Sequence, residues 1–155
     1  MIRRKLRKNE AGSTMAEFAV VAALFFMVLI GIIEFARFFY THNALTDAAR
    51  RGARYAVLHP KADLQCVQRI VAYGETHVSP TCEPTGPPLI NGLAPTDVTV
   101  DYGPANSFGM NVGAVTVTIN YSFTIQLPLW SRTIALPPYT TTLTAESAGT
   151  KPADL

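Results

Sequence analysis

An uninterrupted apolar run occupies residues 18–33, where no side chain is charged. As an α-helix this run covers roughly 24 Å at about 1.5 Å per residue, slightly less than the hydrocarbon thickness of a bilayer. Aromatic and small residues beyond Glu34 extend it, so the predicted transmembrane segment covers residues 15–40. The pattern therefore predicts one transmembrane helix.

Helical character continues past the apolar run as far as Pro60. Because a proline disfavours helical angles at the residue before it, we expect the helix to end near Leu58 or His59. The whole predicted amino-terminal helix covers residues 13–58. Charges at helical spacing predict two local ion pairs along it, Glu34 with Arg37 and Asp47 with Arg51.

One stripe of this helix carries almost no side-chain bulk, because small residues recur at four-residue steps: Ala44, Ala48, Gly52 and Ala56. Two interpretations stay open. The stripe can lie under a sheet of the same chain, or it can admit a neighbouring helix closely, as small residues do at helix interfaces.

The patterns beyond Pro60 are shorter. Asp63 can cap a second helix that Gly74 would end, with one apolar face made of Leu64, Val67, Ile70 and Val71. Residues 79–95 are rich in Pro, Gly, Thr and Asn, which indicates a long surface loop.

Strand patterns occupy the remainder. Residues 97–102 predict a short strand, and strict alternation over residues 115–127 predicts one long strand ended by Pro128. Strands at residues 132–136 and 139–147 would complete an antiparallel meander covered by the outer half of the long helix. Trp130 and Tyr139 are interpreted as packing at the rim of the core. The resulting fold class is α+β: a long transmembrane helix that extends into a small antiparallel sheet domain at residues 59–155, with one short extra helix.

The charge distribution sets the topology. Residues 1–12 form a basic leader that contains Arg3, Arg4, Lys5, Arg7 and Lys8, which predicts a cytoplasmic amino terminus and an outward carboxy-terminal domain. The net charge of +2 depends on this leader. Without it the chain is slightly acidic, so a nucleic-acid partner is disfavoured. An ordinary secretory signal peptide fits poorly, because the apolar segment is long and no small-x-small cleavage site follows it.

Glu17 stands at the mouth of the apolar run and has two interpretations. In the first, Thr14 and Glu17 form a capping box at the start of the helix. In the second, the carboxylate awaits a positive partner, since a charge in apolar surroundings is costly unless it is paired. Cleavage after Gly12 would create such a partner in the free amine of Ser13.

A basic leader, a glycine, four residues and then Glu-Phe at the start of an apolar helix resemble the type IV prepilin processing signal. Glu17-Phe18-Ala19, followed by the Ala-Ala-Arg-Arg-Gly-Ala-Arg-Tyr-Ala-Val sequence of residues 48–57, resembles the TadE-like pseudopilins of the tight-adherence pilus system. The resemblance covers about residues 10–58 well and is looser beyond them.

The resemblance implies an inner-membrane precursor that a prepilin peptidase cuts after Gly12. Its partners would be other pilin or pseudopilin subunits, the pilus assembly platform and inner-membrane lipid, and its size implies a minor role. Glu17 would neutralise the amine of a neighbouring Ser13 while apolar helix faces that include Phe18 pack together. The domain after the span would be periplasmic, and entry into an extracellular pilus stays open. The main alternative is an unprocessed, membrane-anchored binding domain that recognises its ligand with the Pro-rich loop.

The remaining chemistry is sparse. Cys66 and Cys82 lack zinc or redox spacing, and in an oxidising compartment we expect them to form a disulfide, worth about 3 kcal/mol in the chain-entropy model. A free buried pair is the other reading. His42, His59 and His77 are scattered over different elements, which predicts no metal site, and no phosphate-binding glycine loop is present. An anchored enzyme is therefore disfavoured, and no cofactor is expected.

Overall fold

The computed structural model describes residues 10–59, 64–74, 82–84, 86–103, 113–127 and 130–144. Its elements in chain order are α1 (Glu10–Leu58), α2 (Leu64–Tyr73), a 3-10 turn (Pro95–Asp97), β1 (Val98–Tyr102), β2 (Ala114–Ile119), β3 (Ser122–Leu127), β4 (Trp130–Ala135) and β5 (Tyr139–Thr144). The long helix, the short second helix and the antiparallel strands confirm the predicted α+β class.

Helix α1 is continuous over 49 residues, which corresponds to about 73 Å at 1.5 Å per residue. No proline interrupts it. It ends at Leu58, where the restriction imposed by Pro60 predicts its end.

Helix α2 ends at a glycine, as the sequence predicts. Gly74 has a φ of +73°, and its amide donates a hydrogen bond of 2.8 Å to the carbonyl of Ile70. A residue in this left-handed conformation satisfies a free carbonyl at the helix end, and glycine adopts it without a Cβ penalty. The predicted cap, Asp63, lies outside the described residues.

The described strands form two antiparallel sheets. A three-stranded sheet has the order β1-β2-β5, and β3 pairs with β4 as a separate hairpin. The predicted single strand over residues 115–127 is therefore wrong: it divides at Asn120 and Tyr121 into β2 and β3, which belong to different sheets. The predicted meander is also wrong, because β5 returns to pair with β2, from Ala114 opposite Thr144 to Ile119 opposite Tyr139.

The core lies between the outer half of α1, helix α2 and the inner face of the three-stranded sheet. Alternate residues of β2 point inward and are completely buried: Val115, Val117 and Ile119. The opposite face carries threonines, and Thr116 and Thr142 share a hydroxyl hydrogen bond of 2.9 Å across β2 and β5. This alternation produces one buried and one solvated face.

Cys66 and Cys82 form a disulfide. It joins α2 to the start of the described part of the Pro-rich loop. Arg69, one turn further along α2, forms a salt bridge of 2.9 Å with Glu83 and donates a hydrogen bond of 3.1 Å to the carbonyl of Cys82. The two contacts add to the covalent link between the loop and α2.

Candidate assembly surface on the amino-terminal helix

The amino-terminal half of α1 presents large apolar side chains that nothing in the described part of the chain covers. Its most apolar window of 18 residues has a mean hydropathy of 2.7, and none of that window is buried. The exposed side chains include Phe18, Leu24, Phe26 and Ile32. This helix is long and apolar enough to cross a membrane.

The predicted processing segment lies at the start of this exposed half. Gly12 and Ser13 are exposed, and a Cβ placed on Gly12 would meet no atom within 4 Å. Glu17 is also exposed, and the hydroxyl of Ser13 donates a hydrogen bond of 3.4 Å to its carboxylate. The segment is therefore accessible, and Glu17 has a carboxylate oxygen one helical turn from Ser13.

The first interpretation of Glu17, a capping box with Thr14, does not fit the structure. A capping residue must leave helical geometry, whereas α1 already begins at Glu10 and passes through Thr14 as a regular helix. The carboxylate of Glu17 therefore does not close the start of a helix.

The small-residue stripe lies on the other half of α1, where the chain covers it with its own domain. Ala48 and Ala56 are completely buried, and Ala44 is partly buried against the same core. A Cβ on Gly52 would lie 2.2 Å from a methyl carbon of Val71 on α2. The structure thus favours the first of the two interpretations: the bare stripe admits α2 and β2 of the same chain.

Arg37 marks the junction between the two halves. It forms the predicted salt bridge with Glu34 at 3.3 Å. It also donates a hydrogen bond to the carbonyl of Thr124 on β3, and its guanidinium lies 4.9 Å from the ring centre of Phe123. The sequence analysis missed this link to the hairpin, because helical spacing reports only partners on the same helix.

A second link at the junction joins α1 to β5. Nδ1 of His42 lies 2.9 Å from the hydroxyl of Tyr139. Burial raises the pKa of this tyrosine. Tyr139 is buried at the edge of the core, whereas Trp130 is 51% exposed and does not pack there as predicted.

A cleft of about 870 Å³ opens beside the junction, between α1, the end of the Pro-rich loop and β3. Tyr121 crosses it and donates a hydrogen bond of 2.8 Å to the carbonyl of Asn91. Burial raises the pKa of Tyr121, and the nearby charge of Arg37 lowers it to a smaller extent. Two polar side chains that line the cleft, Arg37 and Tyr121, therefore bond to backbone carbonyls of the domain.

The described residues contain no group of His, Cys, Asp and Glu side chains able to hold a metal ion. His59 bonds through Nδ1 to the carbonyl of Tyr55 on its own helix, and His77 lies outside the described residues.

A family model covers most of helix α1. Residues 12–54 match the family described as TadE-like protein. This segment of the chain is similar to the TadE-like family. No curated protein and no solved structure matches the chain.

The TadE-like segment begins at Gly12 and ends within α1. It therefore includes the exposed apolar half with Glu17 and most of the buried stripe. The sheet domain lies beyond the match.

Proposed function

We propose that this TadE-like protein is a minor pilin or pseudopilin that takes part in the assembly of tight-adherence pili. The observation that carries the proposal is the exposed apolar half of α1, which coincides with the TadE-like match. Large apolar side chains without a partner in the same chain require lipid or a neighbouring helix to cover them. A pilin-like subunit uses both environments in turn.

The precursor would sit in the bacterial inner membrane with its leader in the cytoplasm and the sheet domain in the periplasm. A prepilin peptidase would cut after Gly12. The exposure of this segment supports the proposal, because no described residue packs against Gly12 where a peptidase would bind.

Cleavage would give Ser13 a positive amine. In the assembled state, Glu17 would pair with the Ser13 amine of a neighbouring subunit, which lowers the cost of placing both charges among apolar helices. Because Glu17 is exposed and accepts only a long hydrogen bond of 3.4 Å from the hydroxyl of Ser13 within the described residues, the carboxylate can exchange this weak bond for a charged one.

Intact-mass and amino-terminal analysis tests the processing step, with the protein expressed with and without its cognate prepilin peptidase. We expect a peptidase-dependent amino terminus at Ser13 and loss of that cleavage in Gly12→Leu. Gly31→Leu is a matched control, since a Cβ at either glycine meets no atom within 4 Å. A chain that keeps Gly12 in both strains would contradict the proposal.

The unprocessed, anchored binding domain is the alternative that such a result would favour. One observation supports it: the cleft beside the junction is lined partly by Asn91 and Gly92, at the end of the Pro-rich loop. If the membrane protein is monomeric and uncut, this cleft would be the candidate ligand-binding site.

A second experiment tests Glu17. We expect Glu17→Ala to insert in the membrane normally and to reduce pilus assembly, measured by fractionation and by the amount of pilin released from sheared cells. Asp47→Ala is the matched control, because Asp47 is an exposed carboxylate of the same helix paired with Arg51. Normal assembly by the Glu17→Ala chain would refute the pairing.

A further inference from the structure

The β3–β4 hairpin has one apolar face. Directly paired residues of an antiparallel pair point to the same side of the sheet. The register therefore groups Phe123, Ile125 and Leu127 of β3 with Ile134, Arg132 and Trp130 of β4. The opposite face is polar, with a hydroxyl hydrogen bond of 2.9 Å between Thr124 and Thr133.

Only the start of this apolar face is covered. Phe123 is buried against Phe38 of α1, with ring centres 5.4 Å apart. Further along the hairpin, Trp130 is 51% exposed and Ile134 is 43% exposed. Within the described strands, no other large apolar side chains are exposed, so the exposed apolar surface of these strands is concentrated on β4.

The contacts with α1 give the direction in which the hairpin points. Tyr139, beyond the open end of the hairpin, contacts His42, whereas Phe123 contacts Phe38 and Thr124 contacts Arg37. Moving along β3 toward its tip therefore moves along α1 toward the apolar half. The strand therefore extends from Thr124 to the tip pair, Leu127 and Trp130, in the direction of the apolar half of α1.

The length of the strand limits how far the tip extends along α1. Three residues separate Thr124 from Leu127, or about 10 Å along a strand. A strand parallel to α1 would cover about seven helical residues over that length and a tilted strand fewer, so the tip extends from Arg37 no further than the level of Ile30, at the outer end of the apolar run. Ile30 and Glu34, which share a helix face with Arg37, are partly covered, although residues 31–33 are exposed.

We propose that the tip of the β3–β4 hairpin rests in the phospholipid interface of the outer leaflet, beside the span of α1. This inference depends on the proposed membrane location of α1. Trp130 would sit at headgroup level, the depth that tryptophan prefers. Arg132, exposed between Trp130 and Ile134, would extend its guanidinium to lipid phosphates while its stem stays in the apolar surface.

The sheet domain would then be held to the membrane at two points, by α1 and by the tip of the β3–β4 hairpin. The helix alone permits the sheet domain to rotate about the helix axis and to tilt. A second, lateral contact at the hairpin fixes which side of the domain faces the membrane surface. The cleft and the disulfide-linked loop would then keep a defined height above the bilayer.

The chain contains a single tryptophan, so its fluorescence tests the inference directly. The full chain is placed at one copy per lipid nanodisc, with lipids brominated either near the headgroup or near the end of the acyl chain. We expect Trp130 to emit at a shorter wavelength than in water and to lose more emission with shallow bromines, near the edge of a hydrocarbon core about 30 Å thick, than with deep ones.

Two relocated tryptophans serve as controls in a Trp130→Phe background. Phe26→Trp places the probe in the apolar half of α1 and should be quenched most by deep bromines. Tyr55→Trp places it about 27 Å beyond Arg37 along the helix and should be quenched by neither lipid.

The outcomes separate this inference from the proposed function. If Phe26→Trp is quenched and Trp130 is not, the hairpin does not touch lipid and the inference is overturned, whether Trp130 is in water or covered by protein. If Phe26→Trp is itself not quenched, α1 does not enter the bilayer, and the proposed function fails together with the inference.

Discussion

The two halves of α1 share one continuous backbone, but one half buries small side chains and the other exposes large ones. The outer half buries small residues such as Ala48, Gly52 and Ala56 inside the chain's own domain. The amino-terminal, apolar half of α1, which is the inner half, exposes large residues such as Phe18, Leu24 and Phe26. A water-soluble helix would normally bury its largest apolar side chains. The inversion indicates that the surroundings of the inner half come from outside the described part of the chain.

The buried side chains of the outer half are small because the helix backbone packs closely against α2 and β2. Small residues allow α2 and β2 to approach the helix backbone, and the resulting core is made of short aliphatic side chains such as Val71 and Val117. The inner half has no such constraint from its own domain. Large residues there provide apolar area for lipid or for neighbouring helices.

The largest effect should come from truncating a buried leucine in the outer half. Leu45 is fully buried, so Leu45→Ala should lower the free energy of unfolding of the sheet domain by about 2–5 kcal/mol. Leu24→Ala removes the same atoms from a side chain that is 58% exposed and should leave that stability unchanged. Urea unfolding of the detergent-solubilised chains measures both, and equal losses would abolish the distinction between the halves.

A smaller effect should follow from adding one methyl group. Gly52→Ala forces a Cβ toward Val71, whose branched side chain is restricted in a helix. We expect a loss of about 1–3 kcal/mol, which outweighs the higher helix propensity of alanine. Gly31→Ala adds the same group in open space. A Gly52→Ala domain as stable as the parent in the same urea assay would show that α2 is not tightly seated on the stripe.

The smallest effect concerns the junction. Tyr139→Phe removes the hydrogen bond to His42 and should cost about 0.5–1.5 kcal/mol near neutral pH. Because burial raises the pKa of Tyr139 in the folded state, the unfolded chain loses this proton first, and stability should fall as pH rises above about 10. Thermal melts at a series of alkaline pH values should show a shallower decline for Tyr139→Phe. An identical decline would assign the alkaline sensitivity to other groups, Tyr121 included.

Features that depend on neighbours in sequence were predictable. The length of α1, its end before Pro60 and the glycine at the end of α2 all follow from local restrictions on the backbone. The buried alternation of β2 was equally visible, because a period of two positions reports one buried face.

Features that depend on partners distant in sequence were not predictable. The alternation of apolar and polar residues keeps its phase through Asn120 and Tyr121, so periodicity could not reveal that the chain changes sheets there. The bare stripe was equally compatible with the chain's own domain and with a neighbouring helix. The contact of Arg37 with Thr124 could be recognised only in the folded structure, because the two residues are far apart in sequence. These ambiguities share one cause: a local pattern specifies the kind of surface but not its partner.

The absence of a break in α1 has a mechanical consequence. No proline lies between Glu10 and Leu58, and the helix passes from its exposed half into the domain core without a hinge. Any force that pulls the inner half along its axis is therefore transmitted directly to the sheet domain, as through a rigid rod. Under the proposed function, a subunit leaving the bilayer would rise by the full hydrocarbon thickness of about 30 Å with its domain moving in step. Withdrawal of the helix from the bilayer and displacement of the sheet domain would then be one movement.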